Sequence, residues 1–137
     1  MLMPDLKTYI VEDSPVIREN LIAALEELVA VEVVGTADNE AAALYWLKQP
    51  RNGCDLVIVD IFLKSGSGLG VLSASADLPD ETKLVVLSNY ATPDMRRKCL
   101  ELGADKVFDK SNEIDALIGY CQRLASGEAA NSSSGSL

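Results

Sequence analysis

Residues 55–60 read Asp-Leu-Val-Ile-Val-Asp, four apolar residues bounded by two acids. An apolar run of this length without alternation is typical of a strand that is buried on both faces of a parallel sheet. Four other short, mostly apolar segments are also predicted as strands: Lys7–Glu12, Val31–Thr36, Lys83–Leu87 and Lys106–Asp109. The stretch 55–60 therefore predicts a sheet that has helices packed on both sides.

Longer segments with helical spacing lie between these strands. The first, Pro15–Val29, follows Ser14, a good N-cap residue, and has proline at its first position, where a missing N–H costs nothing. Its predicted apolar stripe consists of Ile17, Leu21, Ala24, Leu25 and Leu28. The remaining predicted helices are Glu40–Gln49, with Leu44 and Leu47 buried, the glycine-rich Gly68–Asp77, Pro93–Leu102, and Asn112–Ala125.

Five strand–helix units in strict alternation predict the α/β class, a doubly wound five-stranded parallel sheet with right-handed crossovers. We expect one domain over residues 5–125. Residues 126–137 read SGEAANSSSGSL and are mostly small and polar, with no apolar residues at a regular spacing. We therefore expect a disordered tail or the start of a linker.

The charge of the chain excludes several functions. The 137 residues carry 21 acidic and 12 basic side chains, a net charge of −9, and no histidine. A Ser–His–Asp hydrolase and a histidine metal site are therefore excluded, and the acidity argues against nucleic-acid binding by this domain. The cysteines, Cys54, Cys99 and Cys121, form no Cys-x-x-Cys motif, so we expect them to be buried and reduced.

The N-terminal residues do not resemble a signal peptide, and no apolar run reaches transmembrane length. We therefore expect a cytoplasmic protein without a membrane partner.

Polar residues follow the predicted strands where four of them end. They are Glu12 and Asp13 at the end of the first strand, Asp60 at the end of the third, Ser88 and Asn89 at the end of the fourth, and Asp109 and Lys110 at the end of the fifth. Each has an ordinary explanation when taken alone, as a helix-end charge, a turn residue or a solvated side chain. In a parallel sheet, however, these strand ends meet at one edge, where ligands bind.

Three carboxylates brought close together repel one another and raise each other's pKa values. A hard divalent cation relieves that repulsion, and Mg²⁺ prefers carboxylate, carbonyl and water oxygens. Glu12, Asp13 and Asp60 therefore predict a Mg²⁺ site, and Ser88 and Lys110 beside them predict a place for a phosphoryl group.

In this combination the chain resembles the response-regulator receiver domains of bacterial two-component signalling, over residues 5–125. Four motifs at family spacing carry the resemblance: Glu12-Asp13-Ser14 before a helix, Asp60 with Gly68 eight positions on, Ser88 after four apolar residues, and Gly103-Ala104-Asp105 leading to Lys110. The resemblance implies a flavodoxin-like (βα)5 fold with strand order 2-1-3-4-5.

The resemblance also implies the role of each site residue. Asp60 would be the phosphoacceptor, taking a phosphoryl group from a sensor histidine kinase or a phosphotransfer protein. Asp13, Asp60 and the backbone carbonyl of Phe62 would bind Mg²⁺, and Glu12 would act through metal-bound water. Lys110 and Ser88 would bind the phosphoryl group, with Asn89 beside it.

Movement of Ser88 would change a switch surface on the fourth helix, fifth strand and fifth helix, which includes Val107, Phe108, Arg96 and Arg97. That surface would bind a downstream protein target. Such a domain is not an enzyme beyond its own phosphorylation and dephosphorylation, and we expect a monomer or weak dimer.

Some positions depart from the family pattern. Lys64 replaces a common proline, and Ser111 follows Lys110 where a cis-proline is usual. Val107 replaces the switch aromatic, and the neighbouring Phe108 is expected to point to the opposite face of the sheet. Asn89 occupies a place where a small residue is usual, so it could alter the lifetime of the phosphorylated state.

Several alternatives remain open from the sequence. A haloacid-dehalogenase-like phosphatase needs an acid two residues after the nucleophile, where this chain has Phe62, and a flavodoxin-like FMN site would be repelled by Glu12 and Asp13. A phosphorylation-independent adaptor with the same fold, or the receiver fragment of a longer DNA-binding regulator, fits better. The basic cluster Met95-Arg96-Arg97-Lys98 is either a solvated helix face or a docking surface, and Tyr45-Trp46 is interpreted as packing.

Overall fold

Five parallel strands form one sheet in the computed structural model, which describes residues 5–49, 51–79 and 81–127. The strands are β1 Leu6–Val11, β2 Val31–Ala37, β3 Leu56–Val59, β4 Lys83–Ser88 and β5 Lys106–Asp109. The helices are α1 Pro15–Leu28, α2 Glu40–Leu47, α3 Gly68–Ala74, α4 Pro93–Glu101 and α5 Ile114–Ala125, and a 3-10 turn, Ser75–Asp77, follows α3. The strand order β2-β1-β3-β4-β5 confirms the predicted fold and topology.

Strand β3 lies at the centre of the sheet, and all four of its side chains are buried. Leu56 and Ile58 pack in the core under α1 and α5, whereas Val57 and Val59 pack in the core on the opposite face. This double burial is why the strand shows no polar alternation in the sequence. The register pairs Val59 with both Val11 and Val86, so neighbouring strands end at the same edge.

Two helices begin with proline directly after a capping residue, and of these two caps only Ser14 is predicted from the sequence. Ser14 accepts a hydrogen bond from the Ile17 amide at 3.3 Å, and Thr92 accepts one from the Met95 amide at 3.2 Å. In each case proline occupies the first turn, where its lack of an N–H is harmless. Helix α5 begins at Ile114, two residues later than predicted, and α3 ends at Ala74, after which the chain tightens into the 3-10 turn.

The predicted apolar stripe of α1 is wrong at both of its ends. Leu21 and Leu25 are buried, but Ile17 is exposed and Leu28 is 53% exposed. The helix ends at Leu28, and Val29 has extended backbone that turns its side chain into the core in place of Leu28. In α2 the buried residues are Ala43 and Leu47, while the predicted Leu44 is half-buried.

The aromatic and cysteine predictions are confirmed in part. Trp46 stacks on Tyr9 with ring centroids 3.9 Å apart, but the neighbouring Tyr45 is exposed. Cys99 and Cys121 are buried and Cys54 is half-buried, and all three are free thiols. Burial raises the pKa of Cys121 to about 12, which keeps the thiol protonated and unreactive.

In the described part of the chain, no helix combines the length and the apolar character needed to cross a membrane. Residues 128–137 of the predicted tail lie outside the described residues.

Leu25 and Leu28 of α1 differ in burial, so we expect their replacement to have different effects on the free energy of unfolding. Leu25→Ala leaves a cavity in a fully buried site, so we expect the free energy of unfolding to fall by about 3 kcal/mol. Leu28→Ala removes an exposed side chain, so we expect a change below about 0.5 kcal/mol. Urea unfolding followed by circular dichroism measures both, and equal losses would contradict the observed end of α1.

Candidate functional site

The carboxyl edge of the sheet brings three acidic side chains together. Glu12 follows β1, Asp60 follows β3, and the Asp60 amide donates to the Val11 carbonyl at 2.9 Å, which holds the two strand ends side by side. One carboxylate oxygen from each of Glu12, Asp13 and Asp60 lies within 4.8 Å of the other two. Glu12 and Asp60 are buried and Asp13 is half-buried, so their mutual repulsion is poorly screened by water.

Lys110 partly neutralises this acidic cluster. Its Nζ donates to Glu12 Oε1 at 2.6 Å and to Asp60 Oδ2 at 3.1 Å. Its backbone amide donates to the Ser88 carbonyl at 2.9 Å, which fixes the residue at the end of β5. Burial lowers the pKa of Lys110, but the two carboxylates outweigh burial and the net direction is upward, so the ammonium stays charged.

Glu12 is the most tightly held of the three acids. Its Oε2 accepts a hydrogen bond from the Ser14 amide at 3.1 Å, and its backbone carbonyl accepts one from Arg18 Nη1 at 2.8 Å. Burial is the largest influence on its pKa and raises it, while the hydrogen bonds from Lys110 and Ser14 oppose that rise and the charge of Asp60 adds to it. The net direction is upward.

Asp60 is held at both carboxylate oxygens. Oδ2 accepts a hydrogen bond from Lys110 Nζ. Oδ1 accepts one from the Phe62 amide at 3.1 Å, and this second bond closes a tight turn after β3. The returning chain then passes so close that a Cβ on Gly68 would lie 2.2 Å from the Asp60 carbonyl oxygen. The glycine eight residues after the acid is therefore required by backbone contact.

A pocket of about 200 Å³ opens above Asp60. Its walls are formed by Glu12, Asp13, Ser14, Ile17, Asp60, Phe62, Asn89, Tyr90 and Lys110. The Phe62 and Tyr90 rings meet edge to face across its mouth, with centroids 5.0 Å apart, and both rings are at least half exposed. Sequence analysis missed Tyr90, although it follows Ser88 by two residues just as Phe62 follows Asp60.

The residues after β4 are divided between the core and the pocket. Ser88 is completely buried, and its Oγ accepts a hydrogen bond from the Tyr90 amide at 3.0 Å. Ser88 is not among the residues that line the pocket over Asp60, whereas the exposed Asn89 is. The serine hydroxyl is thus directed to its own loop in this structure.

The predicted switch positions surround β5. Val107 packs in the core on the α4 side, and Phe108 packs on the opposite side against Tyr120, with ring centroids 6.0 Å apart. The two side chains face opposite sides of the sheet, as the alternation predicts. The described residues contain no cis peptide bond, so the bond between Lys110 and Ser111 is trans.

Arg96 links three segments around β5. Its Nε donates to the Ala91 carbonyl at 2.9 Å, its Nη1 to the Val107 carbonyl at 3.0 Å, and its Nη2 to Glu113 Oε1 at 2.8 Å. The same Glu113 oxygen accepts from the Asp109 amide at 2.8 Å, and the bond from Arg96 is the main cause of its lowered pKa. Arg96 is therefore part of the structure around β5.

Arg97 differs from its neighbour Arg96. Its guanidinium is exposed and pairs with Asp94 on the same helix at 2.6 Å. An exposed pair of this kind contributes little to stability, so Arg97 remains available for contacts with other molecules.

The donor set at the edge of the sheet fits a hard cation. Carboxylate oxygens are the ligands that Mg²⁺ prefers, and one ammonium cannot balance three carboxylates. The chemistry of the acidic cluster thus suits a divalent cation.

Comparison with known proteins identifies the family. A family model described as the response regulator receiver domain matches residues 8–122. A protein-glutamate methylesterase/protein-glutamine glutaminase of Desulfotalea psychrophila is 32% identical over 113 residues, covering 81% of this chain and 30% of that protein. The response regulator UvrY of Escherichia coli is 21% identical over 123 residues, covering 90% of this chain and 56% of that protein.

Solved structures share the fold. The crystal structure of a response regulator protein from Burkholderia pseudomallei, with a phosphorylated aspartic acid, calcium ion and citrate, matches with a TM-score of 0.75 at 24% identity, covering 93% of this chain and 72% of that one. The chain spans 30% to 57% of the length of three curated relatives that it matches. Because the family model covers most of the sequence, the chain belongs to the response regulator receiver domain family.

Proposed function

We propose that this chain is a phosphoacceptor receiver domain of a two-component phosphorelay, with Asp60 as the acceptor. The observation that supports this most directly is the environment of Asp60. It lies at the end of the central strand, beside two further carboxylates and in contact with a lysine whose side chain is 9% exposed, at the base of an open pocket. A domain that served only as a packing module would gain nothing from burying this many charges together.

The proposed reaction is transfer of a phosphoryl group to Asp60. A carboxylate oxygen of Asp60 attacks the phosphorus of a phosphohistidine and forms an O–P bond. The N–P bond breaks, and its electron pair returns to the ring nitrogen, so the ring leaves as neutral imidazole when its other nitrogen carries a proton. Because this chain contains no histidine, the donor is a histidine kinase or a phosphotransfer protein.

Asp13, Asp60 and the Phe62 carbonyl would hold Mg²⁺, with Glu12 acting through water. The ion would supply positive charge beside the phosphoryl oxygens, which is most of what phosphoryl transfer requires. Lys110 would supply charge as well, since its ammonium already contacts Asp60. A protein of the same fold holds a phosphorylated aspartic acid and a calcium ion.

We propose that phosphorylation is transmitted through the loop between β4 and α4. The Ser88 hydroxyl would leave the Tyr90 amide and bind the phosphoryl group, with Asn89 beside it. Arg96 would carry that loop movement to β5 and α5, because it bonds to Ala91, Val107 and Glu113 at once. The altered surface, including Arg97, would bind a downstream protein target.

Two further arrangements are consistent with this site. The chain could be the receiver part of a longer DNA-binding regulator, since it spans about half or less of several relatives. The receiver itself would act as a regulator, with nucleic-acid binding or methylesterase activity confined to other domains. A phosphorylation-independent adaptor is the second candidate, favoured by Val107 in place of an aromatic switch residue.

Cytoplasmic localisation and a monomeric or weakly dimeric state stay predictions.

Chemical phosphorylation tests the acceptor directly. Incubation with a small phosphodonor and Mg²⁺ should add one phosphoryl group, measured by intact mass, because Asp60 lines an open pocket that a small donor can enter. Asp60→Asn should stay unmodified, and a chelator should suppress the reaction of the wild type. An unmodified wild type with several donors would favour the adaptor.

Repulsion within the acidic cluster predicts how Mg²⁺ affects stability. At a hundredfold excess over its Kd, Mg²⁺ should raise the free energy of unfolding by about 2.7 kcal/mol. Asp13→Asn should be more stable than wild type in chelator, by about 1 kcal/mol, because it removes one of three like charges. It should also gain less from Mg²⁺.

The matched control for Asp13→Asn is Asp77→Asn, which removes the same charge at an exposed position on the 3-10 turn. We expect its stability in chelator, and its gain from Mg²⁺, to equal those of wild type in thermal unfolding. If the two variants have the same stability in chelator and the same gain from Mg²⁺, repulsion within the cluster does not explain the behaviour of Asp13→Asn.

Asn89 makes a prediction about the phosphorylated state. Because its exposed side chain lines the pocket over Asp60, Asn89→Ala should change the half-life of the phosphorylated protein. Decay of the intact-mass signal after the donor is removed measures the half-life. The control is Asn112→Ala, which alters an exposed asparagine that does not line this pocket. An unchanged half-life in Asn89→Ala would remove Asn89 from the mechanism.

A further inference from the structure

The loop after β3 depends on a residue that lies outside the site. This loop carries Asp60 and the Phe62 carbonyl outward and returns as the start of α3. Phe62 pairs with Ser67 in an isolated antiparallel bridge, and the Gly68 amide donates to the Ile61 carbonyl at 2.9 Å. The position of the Phe62 carbonyl is therefore tied to that of Ser67.

Ser67 is in turn held by Glu40, the first residue of α2. Glu40 Oε1 accepts a hydrogen bond from the Ser67 amide at 2.8 Å, and the Glu40 amide donates to the Ser65 carbonyl at 3.1 Å. The loop donates one of these hydrogen bonds and α2 donates the other. Together they hold the loop at a fixed position against the first residue of α2. Ser67 also caps α3 by accepting from the Leu69 amide at 3.0 Å.

Two glycines leave the space that Glu40 occupies. A Cβ on Gly70 would lie 2.3 Å from Glu40 Oε2, and a Cβ on Gly66 would lie 2.4 Å from Glu40 Cβ. Gly66 also has φ of 82°, which other residues rarely adopt. The glycine-rich sequence 66–70, which weakens α3 as a helix, thus surrounds one carboxylate from a neighbouring element.

We propose that Glu40 is a positioning residue for the metal-binding loop, acting on the Phe62 carbonyl through Ser67. The inference rests on the proposed Mg²⁺ site. Residues that orient metal ligands from outside the coordination sphere commonly affect metal affinity by about 10- to 100-fold when they are replaced. A purely structural Glu40 would instead affect only the packing of α2 against α3, and with it the stability of the fold.

The experiment measures Mg²⁺ binding by titration calorimetry on the full chain, with thermal unfolding in parallel. Glu40→Ala should weaken Mg²⁺ binding by about tenfold. Glu40→Gln keeps a side-chain oxygen that can accept from the Ser67 amide, so it should bind Mg²⁺ within about threefold of wild type. Rescue by glutamine but not by alanine is the result expected of a positioning hydrogen bond.

Gly70→Ala tests the same contact without altering Glu40. The added methyl group would displace the Glu40 carboxylate, so Mg²⁺ binding should weaken as in Glu40→Ala. Alanine also has the higher helix propensity, so α3 itself should not lose stability. Weaker Mg²⁺ binding in a variant that unfolds no earlier than wild type separates positioning from packing. The double variant Glu40→Ala/Gly70→Ala should bind Mg²⁺ no more weakly than Glu40→Ala alone, because both substitutions remove the same contact.

Two failures are distinguishable. If the wild type does not bind Mg²⁺, the proposed metal site is wrong and the role of Glu40 falls with it. If the wild type binds Mg²⁺ and both alanine variants bind it equally well, the metal site stands and the proposal for Glu40 is overturned. Exchange of the Ser67 amide with deuterium, faster in Glu40→Ala than in Glu40→Gln, supports the hydrogen bond that the proposal requires.

Discussion

The bond from Lys110 to Glu12 and Asp60 is the interaction on which the carboxyl edge of the sheet depends. It joins residues that are 98 and 50 positions apart, and so it connects the ends of β5, β1 and β3. Without the lysine, the three carboxylates at this distance would repel one another with no positive charge to offset the repulsion. One ammonium leaves the cluster with excess negative charge, which suits the divalent cation proposed above.

The features predicted correctly from the sequence are those set by short-range rules. The run 56–59 has no polar residue because β3 is covered on both faces, and this pattern also fixes the parallel sheet. Ser14 and Thr92 stand before prolines and cap α1 and α4, so the helix starts follow from two or three adjacent residues. The grouping of Glu12, Asp13 and Asp60 required only the rule that parallel strands end together.

The features that sequence analysis missed depend on contacts between distant segments. Leu28 and Val29 are both apolar, and only the exact end of α1 decides which of them enters the core. The glycines at 66 and 70 weaken the prediction of α3, because their purpose is to leave room for Glu40, which lies on another helix. Tyr90 joins the site only because its loop lies opposite Phe62.

Arg96 shows how a departure from the family pattern can leave a connection intact. Because Val107 is a small residue, no large ring from this position can bridge β5 and α4. The guanidinium provides that bridge with three directed hydrogen bonds, to Ala91, Val107 and Glu113. Directed bonds of this kind are lost over a smaller displacement than an apolar contact, because their strength falls steeply with angle as well as distance. A small movement of the β4–α4 loop is therefore sufficient to alter this link, even without an aromatic side chain that changes its rotamer.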